Sequence, residues 1–266
     1  MPREYTYGPF QSRRLGLSLG VNVLANYKLC TYNCVYCEIG LTKKDNLVSP
    51  NHKSHLPPSP NFRKELKSIL KYVPHLNSIT FGYNGEPTLN ENLLEFLEIA
   101  VDVRNELNWN NDKPLLTLFT NSSTLYIDEI RERVKQFELV LAKLDTANDV
   151  DFKRTNRPHH DTPNIEMIIE SLVKLKQEMP KDHKLAIQSL IFNSYKKEFI
   201  PNNNSINILD LARALKRIKP EIIQIYSTAR IPAEYFVFSI DDDRKREIAI
   251  IFKKLINDKK IEINVY

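Results

Sequence analysis

Tryptophan, cysteine, methionine and glycine are all scarce: one, three, three and six among 266 residues. The few glycines, beside abundant Asn, Lys and Ile, mark a compositional bias and not a function. No apolar run approaches membrane length, and the opening MPREYTYGPF has no signal-peptide core, so neither a span nor a secretory leader is expected. No fixed-period repeat, low-complexity tract or linker divides the chain, which predicts one domain. The cysteines form no disulfide pattern, and clustered free thiols suit a reducing cytoplasm. With none elsewhere, a catalytic cysteinyl radical or a second C-x₂-C redox pair is excluded. A hydrophobic content of 42% and a charged content of 27% are ordinary for a globular enzyme. The formal charge of +5 permits a nucleic-acid partner without arguing for one.

What is present is concentrated in one octapeptide, Cys30-Thr31-Tyr32-Asn33-Cys34-Val35-Tyr36-Cys37, which holds every cysteine of the chain. Three sulfurs in a C-x₃-C-x₂-C array fall short of the four ligands of a structural zinc site. They can hold three irons of a [4Fe–4S] cluster and leave the fourth open to a small molecule. The competing reading is a zinc knuckle completed by His52 or His55.

The array, with Tyr36 directly before the last cysteine, resembles the motif of the radical S-adenosylmethionine (SAM) superfamily. That resemblance implies Cys30, Cys34 and Cys37 as cluster ligands and SAM as co-substrate. It also implies one-electron cleavage of SAM to methionine and a 5′-deoxyadenosyl radical, with an electron donor such as flavodoxin or ferredoxin. Further segments narrow the likeness. They are Gly8-Pro9, Ser12-Arg13-Arg14-Leu15-Gly16, Ser18-Leu19-Gly20-Val21, Gly85-Glu86-Pro87-Thr88, Asn156-Arg157-Pro158 and Arg230-Ile231-Pro232-Ala233-Glu234. Together they resemble a prokaryotic group of Fe–S oxidoreductases related to the tRNA wyosine-base synthases. Those synthases carry extra cysteines for a second cluster, and this chain has none.

Periodicity gives the fold class independently. Alternating or compact apolar segments predict strands at 18–24, 79–81, 115–119, 139–144, 185–192 and 222–226. Helical stripes lie between them: Phe62, Leu66, Ile69; then Leu93, Leu97, Val101, capped by Asn90; then Ile127, Ile130, Val134. Thr162-Pro163 reads as the start of the next helix, and Asp241-Asp242-Asp243 as the start of the last. Six βα units predict an α/β fold, a partial, open (β/α)6 barrel with a parallel sheet; a doubly wound sheet is the alternative. Residues 1–16 read as an irregular basic arm, 17–260 as the barrel core and 261–266 as a terminal edge strand. The (β/α)6 architecture is also what the resemblance implies.

In parallel α/β folds, sites form at the C-terminal strand ends, and the polar motifs fall there. Gly85 permits close backbone approach, and Glu86 can accept hydrogen bonds from an ammonium group. Asn84-Gly85-Glu86 resembles the superfamily's Gly-Gly-Glu motif, which holds the SAM amino group. Thr120-Asn121-Ser122 resembles its Thr-Asn-Gly segment, suited to ribose or the SAM carboxylate. Tyr36 matches the position whose backbone contacts adenine. Asp145 and Gln188 complete the expected cofactor contacts, and Asp145, Arg157, His159 and His160 are the candidate catalytic groups. Arg154, Asn156, Arg157, His159 and His160 read as a basic loop facing the mouth with Arg230. Such a mouth suits a small anionic substrate or a phosphate backbone, and a plain solvated loop fits equally. Other functions left open are a tRNA-modifying radical SAM enzyme, a glycyl-radical activase and a non-enzymatic metal-binding nucleic-acid module.

Overall fold

A computed structural model describes residues 3–110 and 112–266. The first two residues of the expected arm lie outside the described residues. Strands β1 (Thr6–Ser12) and β2 (Gly16–Val21) form an antiparallel hairpin. From β2 the sheet continues in parallel through β3 (Ser78–Phe81), β4 (Leu115–Thr120), β5 (Leu139–Lys143) and β6 (Lys184–Leu190). A short strand β7 (Phe192–Ser194) follows, then β8 (Ile222–Tyr226), β9 (Val237–Ser239) and β10 (Glu262–Val265). The main sheet has the order β1-β2-β3-β4-β5-β6-β8-β10, with β8 and β10 parallel to the run, and β7 pairs with β9 apart from it. It is a curled half-barrel, so the partial barrel holds and the doubly wound alternative does not.

Among the described residues, seven helices cover the outer face: α1 (Pro60–Leu70), α2 (Leu93–Asn105), α3 (Asp128–Val134), α4 (Asp149–Asn156), α5 (Ile165–Glu178), α6 (Ser205–Ile218) and α7 (Asp242–Ile256). Strand residues of one parity, such as Leu19, Ile79, Leu118, Val140, Ile187 and Ile223, pack with helix residues such as Phe62, Phe96, Leu172 and Leu215 in one core. The opposite parity faces inward. Ser78, Thr80 and Thr117 share hydroxyl hydrogen bonds of 2.9 Å there, while Leu139, Leu141 and Ala186 pack on Leu15 and Phe119. Among the described residues no helix is long and apolar enough to cross a membrane.

Scarce glycine shows in the helix ends. The left-handed C-cap, which glycine takes most readily, falls to Arg157, Lys219 and Asn257 at α4, α6 and α7. Asn148, Asn164, Asn204 and Asp241 are side-chain N-caps, each accepting from a backbone N–H three residues on.

Four expectations change. The arm is a strand over Thr6–Ser12, not irregular. The basic loop after β5 is helical through Asn156. Helix α5 begins after Asn164, so Thr162-Pro163 precedes its cap. Asn90 does not cap α2: its amide bonds Val23 O (2.7 Å) and Leu56 O (2.9 Å), pinning the 47–56 connection beside the cysteine loop.

Candidate cluster site at the barrel mouth

The cysteine loop leaves the C-terminal end of β2 and is held by backbone from three directions. Leu29 N donates to Asn84 O (2.8 Å) and Glu86 N donates to Leu29 O (2.9 Å), stitching the loop to the turn after β3. Val48 N donates to Cys30 O (3.0 Å). Asn33 N and Val35 N donate to the last carbonyls of α4, Asn156 O and Thr155 O (both 3.0 Å). This crossing dictates a glycine at position 85. Its φ is +134°, and an added Cβ would lie 1.6 Å from Leu29 O. Gly85 therefore sets how closely two loops approach.

Glu86 is fully buried. Its Oε1 accepts from Thr88 Oγ1 (2.7 Å) and Thr120 Oγ1 (2.8 Å), and its Oε2 from Asn121 N (2.6 Å). Burial raises its pKa, and those hydrogen bonds oppose the rise. Glu86 ties the loop after β3 to the loop after β4. Asn121, so placed, donates through Nδ2 to Thr31 Oγ1 (2.8 Å) and Cys30 Sγ (3.5 Å). Ser122 adopts φ +72°, a left-handed conformation that glycine takes most readily.

A second network crosses the mouth from β5. Asp145 accepts a hydrogen bond from the Tyr36 hydroxyl, and its Oδ1 accepts from Leu190 N (2.7 Å) and pairs with Lys143 Nζ (2.9 Å). Lys143 Nζ also donates to Tyr226 OH (2.7 Å) and lies 5.0 Å from the Tyr36 ring centroid. Burial alone would lower the Lys143 pKa, but Asp145 and Tyr226 outweigh it and hold the ammonium charged. Tyr36 is held neutral, by burial first and by Asp145 second.

Between these networks lies a cavity of about 160 Å³. Cys30, Cys34, Cys37, Tyr36, Gly85, Thr120, Asn121 and Asp145 line it, and so do Lys28, Lys143 and Asn156. Asn84, Glu86, Ser122 and Gln188 lie outside that lining. Gln188 is paired with Gln224 at 2.7 Å inside the barrel, and Asn84 donates to Ala25 O at 3.0 Å. Lys28 and Lys143 were missed as site residues. Lys143 shares the inward parity of Leu139 and Leu141 at the end of a strand, a signal the sequence did contain.

The basic segment is more nearly neutral than its composition suggests. Arg154 pairs with Asp151, Arg157 with Glu234, and Arg230 with Glu38 at 3.1 Å. His159 and His160 stack at 4.0 Å between ring centroids and approach Asp161 outside the cavity lining. His52 and His55 are exposed and also outside it, so neither completes a knuckle with the cysteines as they stand.

The burial and donor set fit an iron–sulfur cluster. Cys30 is buried, Cys34 and Cys37 half-buried, and burial raises the thiol pKa values of Cys30 to about 11 and Cys34 to about 12. A bound metal must therefore displace protons, and the site then offers three thiolates and no fourth.

In fold, the chain is similar to several solved structures. Among them, Streptococcus suis SuiB bound to S-adenosylmethionine matches with a TM-score of 0.59 and 13% identity, over 92% of this chain and 50% of SuiB. TYW1 with a lysine–pyruvate adduct bound matches with a TM-score of 0.57 and 15% identity, over 89% and 73% of the respective chains. By sequence, a UPF0026 protein of Methanocaldococcus jannaschii is 28% identical over 97% of this chain and 74% of its own length. No family model matches the chain. This chain thus spans about half the length of SuiB.

Proposed function

We propose that this chain is a radical SAM enzyme acting on a small anionic substrate. Cys30, Cys34 and Cys37 would hold a [4Fe–4S] cluster, and the cavity beside them would take SAM. When bound, that pair supplies one-electron cleavage of SAM to methionine and a hydrogen-abstracting 5′-deoxyadenosyl radical. The observation that carries the reading is three cysteines, with no fourth in the chain, lining one cavity at the C-terminal mouth of a half-barrel.

The chain's own residues do the holding. Glu86 fixes the loop that carries Asn121, and Gly85 fixes the cysteine loop against it. Tyr36, Leu144 and Phe152 make part of the lining apolar. Lys143 favours an anionic ligand group: two of its three ammonium protons go to Asp145 and Tyr226, which leaves one for a ligand. Asp145 orients Lys143 and Tyr36 instead of standing free as an acid or base. The paired state of Arg154, Arg157 and Arg230 favours a small substrate over a phosphate backbone. An external donor such as flavodoxin or ferredoxin would deliver the electron. Because no further cysteines exist, a wyosine-type reaction needing a second cluster is not part of this reading.

Anaerobic reconstitution tests it. About four irons per chain, with SAM binding that perturbs the cluster's electron paramagnetic resonance signal, is the expected result. Zinc in place of iron, with no SAM binding, would sink the reading.

A further inference from the structure

We infer that Lys28, Asn121 and Asn156 form a shell of N–H donors, one to each cysteine sulfur, that raises the reduction potential of the cluster bound there. The inference rests on the proposed function and adds to it the residues that tune the cofactor.

The pairing is one to one. Asn121 Nδ2 lies 3.5 Å from Cys30 Sγ, Asn156 Nδ2 lies 3.5 Å from Cys34 Sγ, and Lys28 Nζ lies 3.2 Å from Cys37 Sγ. The donors come from three separate places: the approach to the cysteine loop, the end of β4, and the last residue of α4. Each is fixed by a second contact. Lys28 Nζ also donates to Gly40 O (2.6 Å), and Asn121 Oδ1 accepts from Ser123 N (3.0 Å). Asn156 Oδ1 accepts from Thr146 Oγ1 (3.3 Å). These second contacts aim the N–H groups at the sulfurs and fix them there.

Reduction adds negative charge that is shared with the thiolate sulfurs. A donor dipole aimed at a sulfur stabilises that charge, so the reduced state gains more than the oxidised one. Lys28 carries a full charge at the shortest distance, and its field also reaches Cys30. It should contribute most. The asparagines are neutral, more distant and shared with other acceptors, Thr31 for Asn121 and both Tyr36 and Asp145 for Asn156. All three are therefore positioning residues acting through the cysteines.

The test is an anaerobic redox titration of the reconstituted holoprotein, followed by electron paramagnetic resonance and normalised to iron content. Lys28→Met keeps side-chain length and removes charge and donor. It should lower the equilibrium constant for one-electron reduction about tenfold, a fall of about 59 mV. Lys28→Arg should restore it to within about threefold of wild type. Asn156→Leu, which leaves the Tyr36–Asp145 contact in place, should lower it about threefold, and it decides the matter if Lys28→Met holds no iron. Wild-type titration by iron-replete Lys28→Met and Asn156→Leu would overturn the inference and leave the proposed function standing. Absence of any iron cluster from the wild-type protein would overturn the proposed function first.

Discussion

Gly85→Ala should separate the cluster site from the fold. The added methyl would lie 1.6 Å from Leu29 O and 2.5 Å from Leu29 C, so the backbone leading into Cys30 must move by more than an ångström. That movement breaks or stretches two hydrogen bonds, Leu29 N to Asn84 O and Glu86 N to Leu29 O. Each contributes about 1 kcal/mol. An alanine at φ +134° adds about 1–3 kcal/mol of backbone strain. The sum is about 3–5 kcal/mol, borne by the loop that presents the first cysteine. Gly40→Ala is the internal control: its φ is +85°, and nothing lies within 4 Å of the added atom. It should lose only about 1–2 kcal/mol. Urea unfolding of the metal-free proteins measures the two costs, and iron per chain after reconstitution measures the consequence. Gly85→Ala should be the less stable and hold little iron, whereas Gly40→Ala should hold a full complement. Equal stability of the two variants, with wild-type iron in both, would refute the reasoning.

Cys30→Ala, Cys34→Ala and Cys37→Ala should each abolish the broad absorbance near ~400 nm of the reconstituted protein, since each sulfur holds a separate iron; one variant keeping four irons would contradict this. In metal-free protein, Cys30 and Cys34 should alkylate with rates that climb tenfold per pH unit past the ordinary thiol value of 9.0, towards about 11 and 12. A plateau at pH 9 for either would show that burial does not hold it protonated. By linkage, these thiols contribute stability below pH 9 that is lost as pH rises through about 11 and 12. Glu86→Ala leaves Asn121 N and the hydroxyls of Thr88 and Thr120 without their acceptor, so it should cost about 3 kcal/mol or more in thermal or urea unfolding. A loss below 1 kcal/mol would show the carboxylate to be dispensable. Arg154→Gln and Arg157→Gln should leave any tRNA affinity and its salt slope unchanged, because both arginines already pair with carboxylates. A slope shallower by about one per arginine removed would revive the nucleic-acid reading.

The parallel strands were legible because buried strands are compact and the helices between them carry clear stripes. Strand β1 was not. Gly8-Pro9 interrupts it, its register shifts between Tyr7 and Phe10, and a proline argues against a strand until an edge position is known. Helix α4 hid for another reason: its two turns are largely polar, and its value lies in offering carbonyls to Asn33 and Val35, a tertiary demand. The cysteine array could be singled out from its spacing, which left iron–sulfur and zinc readings both open. Glu86 could be picked out but not understood, since its burial depends on Thr88, Thr120 and Asn121 closing over it from two loops. Asn121 reads from the sequence as a cofactor contact and Asn156 as part of a basic loop; only the fold brings their amides to two different sulfurs.

Radical SAM chemistry at this site is open to direct measurement: 5′-deoxyadenosine released from SAM by the anaerobically reconstituted, dithionite-reduced protein, beside Cys34→Ala treated identically. Wild type should release 5′-deoxyadenosine and methionine in equal amounts, even without substrate, and the variant none above background. An iron-loaded wild-type protein that releases no more 5′-deoxyadenosine than Cys34→Ala would contradict it.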